Sequence, residues 1–275
     1  MRVFRGGAIS AAILGLTVTL TGTAEAAHSE SVPSPRADAC TAPLAVGARE
    51  IIRQAEDCAR QPEQPQAVPT TAEGFAKAAE EAGHGTGKIC GPPYVKRDPR
   101  LGPVRLPRHG YFGFLLRGYD RYGPLSPSQF LYQYWDESKV PPGWRYPPDD
   151  GFAHQLRDIN SRPARFRVRL RAGQFIDRFG AETGRFLSPA GASFASRALP
   201  PDSLNTRADD PKHLCNYHVY RVARSFSVDG GPAEPAFQQP GRGLQYVLMG
   251  AYVRGAPSML SVKWLVHKKY LRRVY

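Results

Sequence analysis

Arg165-Phe166-Arg167-Val168-Arg169-Leu170 alternates charged and apolar side chains without a break, and Arg171-Ala172-Gly173 separates it from Gln174-Phe175-Ile176-Asp177-Arg178. A period of two marks a strand with one wet face and one dry face. Working outward, Tyr217 to Arg224 and Leu244 to Val253 read as further strands, each set off by Gly, Pro, Asn or Asp. Val262 to Val274 reads as a terminal helix with Leu265, Val266 and Tyr270 turned inward. Upstream of Arg165 the texture changes. Residues 100–152 are dense in Tyr, Trp and Phe and broken by prolines, which implies a wrapped loop region packed on the strands. One helix inside it is announced by its own chemistry: Ser126 is the N-cap, Pro127 the first helical residue and Gln129 the partner of a capping box. Phe130, Leu131, Tyr134 and Trp135 supply its apolar face. The expected fold class is therefore α+β, a β-rich C-terminal core with an aromatic, loop-and-helix upstream region.

The N-terminus carries a different signal. Arg2 and Arg5 precede an apolar run from Ala8 to Leu20, and Ala24-Glu25-Ala26 follows as a small-x-small cleavage site. The run falls short of the ~18 residues a membrane span requires, so residues 1–26 read as a signal peptide and the remainder as an exported chain. Residues 27–45 are rich in Ser, Pro and Ala, Ala48 to Arg60 reads as a short amphipathic helix, and Ala72 to Ala82 as a second. The expected division is 1–26 signal peptide, 27–85 helical and low-complexity leader, 86–165 upstream region and 166–275 core. The full sequence has a net charge of +13. Loss of Arg2, Arg5 and Glu25 with the signal leaves an excess that suits an anionic partner, although most of the cations are Arg and genome composition explains such a bias equally well.

Four cysteines, Cys40, Cys58, Cys90 and Cys215, follow the signal. An even number in an exported chain implies two disulfides with three pairings open. Cys40–Cys58 with Cys90–Cys215 is the preferred set, the first closing a local loop and the second stapling the upstream region to the core. Neither C-x-x-C nor a histidine pair at i, i+4 occurs, so no metal is expected. Gly83-His84-Gly85-Thr86-Gly87-Lys88-Ile89 fails as a phosphate loop, because Ala82 stands where the first Gly belongs and Ile89 where a Ser or Thr would hold Mg²⁺. Asp149-Asp150 and Asp209-Asp210, beside prolines, read as solvated turns.

A more specific signal lies in an ordered set of short segments. Residues 174–180 read Gln-Phe-Ile-Asp-Arg-Phe-Gly, followed by Gly184-Arg185-Phe186-Leu187-Ser188-Pro189, Arg197-Ala198-Leu199-Pro200-Pro201, Tyr217-His218-Val219-Tyr220 and Pro235 to Tyr246 with its Gln-Gln-Pro-Gly-Arg-Gly turn. Together these resemble the tuberculosis necrotizing toxin (TNT) family over about residues 166–275. Arg100-Leu101-Gly102-Pro103, Gly118 to Gly123 and Trp144 to Pro148 are similar to the region before that domain in secreted members. The resemblance implies hydrolysis of NAD⁺, and of NADP⁺ in many members, to nicotinamide and ADP-ribose, with the nucleotide as substrate and no cofactor. It implies catalytic roles for Arg178, Phe186 and Gln245, and substrate-binding roles for Arg197, His218 and Phe179. Fungal members carry calcium near their C-terminus. Here no acidic residue follows Glu234, and a hard cation wants clustered carboxylates, so calcium is not expected.

The chemistry holds without the resemblance. A glycosidase that expels an alkoxide needs a carboxylic acid to protonate it, but nicotinamide leaves as a neutral molecule from a cationic pyridinium. What remains is to hold a diphosphate, orient a ribose and stabilise an oxocarbenium-like transition state. An Arg fork fits the first task, an aromatic face fits the nicotinamide ring, and a Gln amide can orient ribose or water without serving as a base. A dissociative, metal-independent reaction is expected. The rival readings are a secreted basic binding protein for wall polymer or nucleic acid, and a basic extracellular ribonuclease with His218 and a second histidine as acid and base. On the favoured reading the partners are NAD⁺ or NADP⁺, with neither nucleic acid nor membrane. Disulfides that close only outside the cell would protect the producer, a dedicated immunity protein being the rival explanation, and a homodimer is left open.

Overall fold

The computed structural model describes residues 68–83, 88–154 and 161–275. The signal peptide, the 27–45 leader, the helix at 48–60, the Cys40–Cys58 pair and most of the Gly83–Ile89 loop lie outside the described residues. Three short helices come first, α1 (Ala72–Gly83), α2 (Gly110–Leu115) and α3 (Pro127–Tyr134), then the two-residue strands β1 (Trp135–Asp136) and β2 (Gly143–Trp144). Seven strands follow: β3 (Phe166–Leu170), β4 (Phe175–Phe179), β5 (Phe186–Pro189), β6 (Tyr217–Val222), β7 (Phe226–Pro232), β8 (Leu244–Val247) and β9 (Leu271–Arg273), with helix α4 (Val262–His267) before the last. They form one antiparallel sheet in the order β3-β7-β8-β5-β4-β6-β9. The fold is α+β.

The charged–apolar alternation of residues 165–170 is realised at the sheet edge. Val168 and Leu170 are buried, Arg167 and Arg169 exposed, and the Arg167 guanidinium lies 3.9 Å from the centre of the Tyr252 ring. Toward the middle of the sheet both faces are covered. Ile176 of β4 and Tyr220 of β6, paired in register, share one face with Leu187, Tyr246 and Leu265 of α4 in a single apolar cluster. Phe179 and Tyr217 share the other face with Phe75 of α1 and Tyr111, Phe112 and Leu115 of α2. Only a strand covered on both sides reads as near-continuous burial, and β6 is buried at every position except Arg221. A third cluster of Leu101, Phe130, Trp144 and Phe237 holds the upstream region against the chain that precedes β8. The Ser126 capping box is present, with Gln129 N–H donating to Ser126 Oγ and Ser126 N–H to Gln129 Oε1.

Several elements depart from the sequence expectation. The terminal helix ends at His267, Lys269 takes a left-handed conformation (φ 59°), and Leu271–Arg273 pairs with β6 as an edge strand. The strand from Leu244 stops at Val247 and the chain turns at Gly250–Tyr252, where a Cβ on Gly250 would meet the Pro257 carbonyl at 2.1 Å. Tyr217 continues only to Val222, and Trp135 belongs to β1, not to α3. β5 and β7 carry no clear alternation. β7 ends in Gly230-Gly231-Pro232, whose glycines admit Val168 and the Ala164 carbonyl at distances no side chain would allow. Asp150 is no solvated turn residue: it pairs with Arg185 and lies 3.8 Å from Arg165.

Two of the links between the upstream region and the rest of the chain are single interactions that a substitution removes. Cys90 and Cys215 form a disulfide across 125 residues with their Cα atoms 4.8 Å apart. A cross-link over so long a loop is expected to contribute about 2–5 kcal/mol. Cys215→Ser should therefore lower stability by that amount in equilibrium denaturation, and reduction should do the same to the wild type. Equal stability of the two proteins would show that packing alone holds the upstream region. The second link is Trp144 Nε1, which donates to Asp202 Oδ2 at 3.0 Å. Burial pushes the Asp202 carboxyl up to about 6, so the folded state binds this proton more tightly than the unfolded chain. Folding then loses stability as pH rises from about 4 to above 6. Asp202→Asn, which keeps an acceptor for Trp144, should gain roughly 2–3 kcal/mol near neutral pH and nothing below pH 4. Thermal unfolding of both proteins across that range is the check, and a pH-independent difference would exclude this cause.

Candidate active site

A cleft of about 530 Å³ opens where β4, β5 and β8 meet the upstream segment Tyr146–Gly151. Arg178 and Phe179 of β4, Phe186 of β5, Arg197 and Gln245 of β8 all line it. His218 does not. Five of the six residues singled out in the sequence thus converge on one cavity from three strands and a loop.

Arg178 is buried and carries a shaped berth. Its Nε donates to the Gly180 carbonyl at 2.9 Å and its Nη1 to the Phe186 carbonyl at 3.3 Å. Gly180 sits at φ 115°, and a Cβ on Gly184 would fall 2.3 Å from Nη2. The glycines of the two short motifs are therefore room for the guanidinium. Burial lowers its pKa, partly opposed by Tyr220 and Glu182. No carboxylate among the described residues is in salt-bridge range of it. A buried, charged fork with neutral partners holds donors in reserve for an anion.

Arg197 is used differently. Both of its Nη atoms bind the Asp177 carboxylate, at 2.6 and 2.9 Å, and its Nη2 and Nε also donate to the Ala192 carbonyl. Asp177 is fully buried and accepts in addition from Tyr217 Oη at 2.7 Å and the Gly191 N–H at 2.9 Å. The guanidinium carbon stands 5.1 Å from the centre of the Phe179 ring. Arg197 reaches the cleft with four of its five N–H groups bonded into the core.

Phe186 begins β5 and is 39 % exposed beside the Arg178 berth, with the Arg185 guanidinium 5.6 Å from the centre of its ring. Gln245 is held from outside the sheet. Its Nε2 donates to the Asp150 carbonyl at 3.1 Å, which turns Oε1, an acceptor, to other partners. Asp150 is itself left-handed (φ 58°), and its carboxylate pairs with Arg185, the residue before Phe186. Glu234 completes this wall, one carboxylate oxygen accepting from the His154 N–H at 3.2 Å. Sequence reasoning missed Asp150, Arg185 and Glu234. The Trp-Arg-Tyr-Pro-Pro segment at 144–148 was the available signal, since the wall starts inside it.

His218 lies on β6, directly opposite Arg178 in register, yet only 3 % exposed. Its ring rests 4.1 Å from that of His213, and Asn216 Oδ1 is 3.3 Å from its Nε2. Burial, then the neighbouring His213, push its pKa down to about 3, so it is neutral at any ordinary pH.

Residues 169–274 match the model of the family described as tuberculosis necrotizing toxin. The chain is 42 % identical over 182 residues to the conidial surface nicotinamide adenine dinucleotide glycohydrolase of Aspergillus fumigatus, which covers 66 % of this chain and 71 % of that protein. The solved structure of the tuberculosis necrotizing toxin with its immunity factor superposes with a TM-score of 0.42 at 20 % identity, over 58 % of this chain and 80 % of the toxin. The matched residues include every strand that lines the cleft, and at that level of identity to the fungal enzyme the chain belongs to the tuberculosis necrotizing toxin family.

Proposed function

We propose that the cleft hydrolyses NAD⁺, with Arg178, Phe186 and Gln245 as the residues that act on the nucleotide. The enzyme is an NAD⁺ glycohydrolase: it breaks the bond between ribose C1′ and the pyridinium nitrogen, releases neutral nicotinamide and delivers water to C1′ to give ADP-ribose. The convergence of a buried guanidinium without a carboxylate partner, an open aromatic ring and an anchored amide on one cavity carries the reading. Arg178 holds the diphosphate and Phe186 stacks on the nicotinamide. Gln245, its Nε2 engaged by Asp150, offers Oε1 to a ribose hydroxyl or to the incoming water. The leaving group needs no proton, which fits a cleft with no histidine in its lining among the described residues. The ribonuclease reading rests on His218 with a second histidine as acid and base, and His218 is buried, neutral and outside the cleft. NADP⁺ as a second substrate and export before folding extend the same reading, the latter resting on residues 1–26.

The reading is tested by nicotinamide release. Wild-type protein should turn over NAD⁺ and leave RNA intact. Gln245→Ala should lower kcat about 10²-fold or more with a smaller change in KM, the scale of a transition-state hydrogen bond. An active Gln245→Ala enzyme would move the site elsewhere. Arg178→Lys keeps the charge but loses the planar fork, and should be impaired comparably. Full activity in the Lys variant would mean that charge alone suffices at this position.

A further inference from the structure

Away from the cleft, three metal-ligating side chains meet. Asp210, His213 and His218 bring one carboxylate oxygen and two ring nitrogens within 4.8 Å of one another. Both rings are buried, while the Asp210 side chain is 30 % exposed and opens the group to solvent. His213 Nδ1 and Asp210 Oδ1 stand 2.7 Å apart, yet this fully buried nitrogen has no hydrogen bond. A carboxylate beside a ring nitrogen that makes no hydrogen bond, with a second imidazole alongside, is a set of donors available to a shared cation.

From this geometry we infer that Asp210, His213 and His218 form a binding site for a divalent transition ion of the zinc class. Two imidazoles and one carboxylate are a donor set for Zn²⁺ or Co²⁺, with bonds of about 2.0–2.2 Å and remaining positions left to water. Calcium, which takes about 6–8 oxygens, does not fit. Ligands at such bond lengths lie roughly 3–4 Å apart around a shared ion. The widest separation therefore has to close by under 2 Å or so and the 2.7 Å Asp210–His213 pair has to open slightly, movements within reach of the partly exposed Asp210 side chain. The backbone prepares the approach. Cys215 and Asn216 are both left-handed, at φ 54° each, and fold the chain so that His213 stacks on His218 across only five positions. Asn216 Oδ1 stands 3.3 Å from His218 Nε2, so an ion bound at Nδ1 would find the ring restrained from outside. An ion here ties the 207–216 loop and the Cys90–Cys215 disulfide to β6, the strand whose His218 faces Arg178 across the ladder.

The purified protein, stripped with EDTA and dialysed, would be titrated with CoCl₂ and followed by visible absorption, and its thermal unfolding recorded with and without ZnCl₂. Expected are a d–d band that saturates at one equivalent and, at ion concentrations about 100 times Kd, a rise in unfolding temperature of roughly 5 °C or more. Asp210→Asn and His213→Gln should each weaken Co²⁺ binding by about 10²-fold or more and abolish the Zn²⁺ shift, while keeping nicotinamide release, which shows they are folded. Absence of the band in wild type, or a band and shift that survive in both variants, overturns the site.

Discussion

The buried pair of Asp177 and Arg197 sets the geometry on which the rest depends. It joins β4 to the loop after β5, accepts Tyr217 of β6 through Asp177 Oδ2, and through the Tyr217–Tyr111 hydroxyl contact at 2.9 Å reaches α2. A fully buried carboxylate is tolerable only when every lone pair is occupied. Here two guanidinium nitrogens, a hydroxyl and a backbone N–H occupy them. Such a pair adds little net stability over an apolar replacement, but loss of one partner strands a charge at a cost of about 3–5 kcal/mol. Its value is positional. It fixes the loop at 191–199 against the central strand, and that loop forms one side of the cleft.

Neutralisation of Arg197 leaves the neighbouring residue free for another task. Asp177 and Arg178 are adjacent on β4 and point to opposite faces, one into the aromatic cluster and the other beneath β5. The strand thus spends its acid on structure and keeps its base for the cleft. The same economy recurs at the upstream wall, where Arg185 neutralises Asp150 and the Asp150 carbonyl is then held in place to fix the Gln245 amide. The segment before the sheet is in this sense part of the site: it turns an otherwise freely rotating amide into an oriented one.

How much of this a sequence can announce follows from where each signal is stored. β3 is legible because it is an edge strand with one wet face, so Val168 and Leu170 alternate with Arg167 and Arg169. β7 is not, since its glycines answer to the Ala164 carbonyl and to Val168, contacts set by strands far along the chain. The last strand reads as a helix in the sequence because Leu265, Val266 and Tyr270 fit a helical stripe, and the stripe continues only if Lys269 does not reverse the chain. In the site, Arg178 and its glycines are a local pattern and stand out. Asp149-Asp150 beside prolines carries the composition of a solvated turn, and only the fold brings Arg185 to it. His213 and His218, five apart and off any helix, escape a search for paired ligands because their meeting depends on two left-handed residues between them.

The electrostatics of the cleft also bear on how a nucleotide would lie in it. The floor beneath β5 presents the Arg178 guanidinium, while the upstream wall presents Asp149, Asp150 and Glu234. Asp150 is balanced by Arg185, and Asp149 contacts His154 at 3.0 Å. Among the described residues the Glu234 carboxylate accepts from the His154 backbone N–H and meets no cation. NAD⁺ is bipolar around its nicotinamide ribose, with a pyridinium cation on C1′ and a diphosphate beyond C5′. A cleft with a fixed cation on one side and carboxylates on the other admits that ribose in one sense and opposes the other, because reversal would set the diphosphate against acids. As the glycosidic bond breaks, positive charge passes from the pyridinium ring to the ribose ring, toward the same acidic wall. Fixed charges already in place need not reorganise to meet it. Orientation of the substrate and stabilisation of its cation would then come from one arrangement of charges.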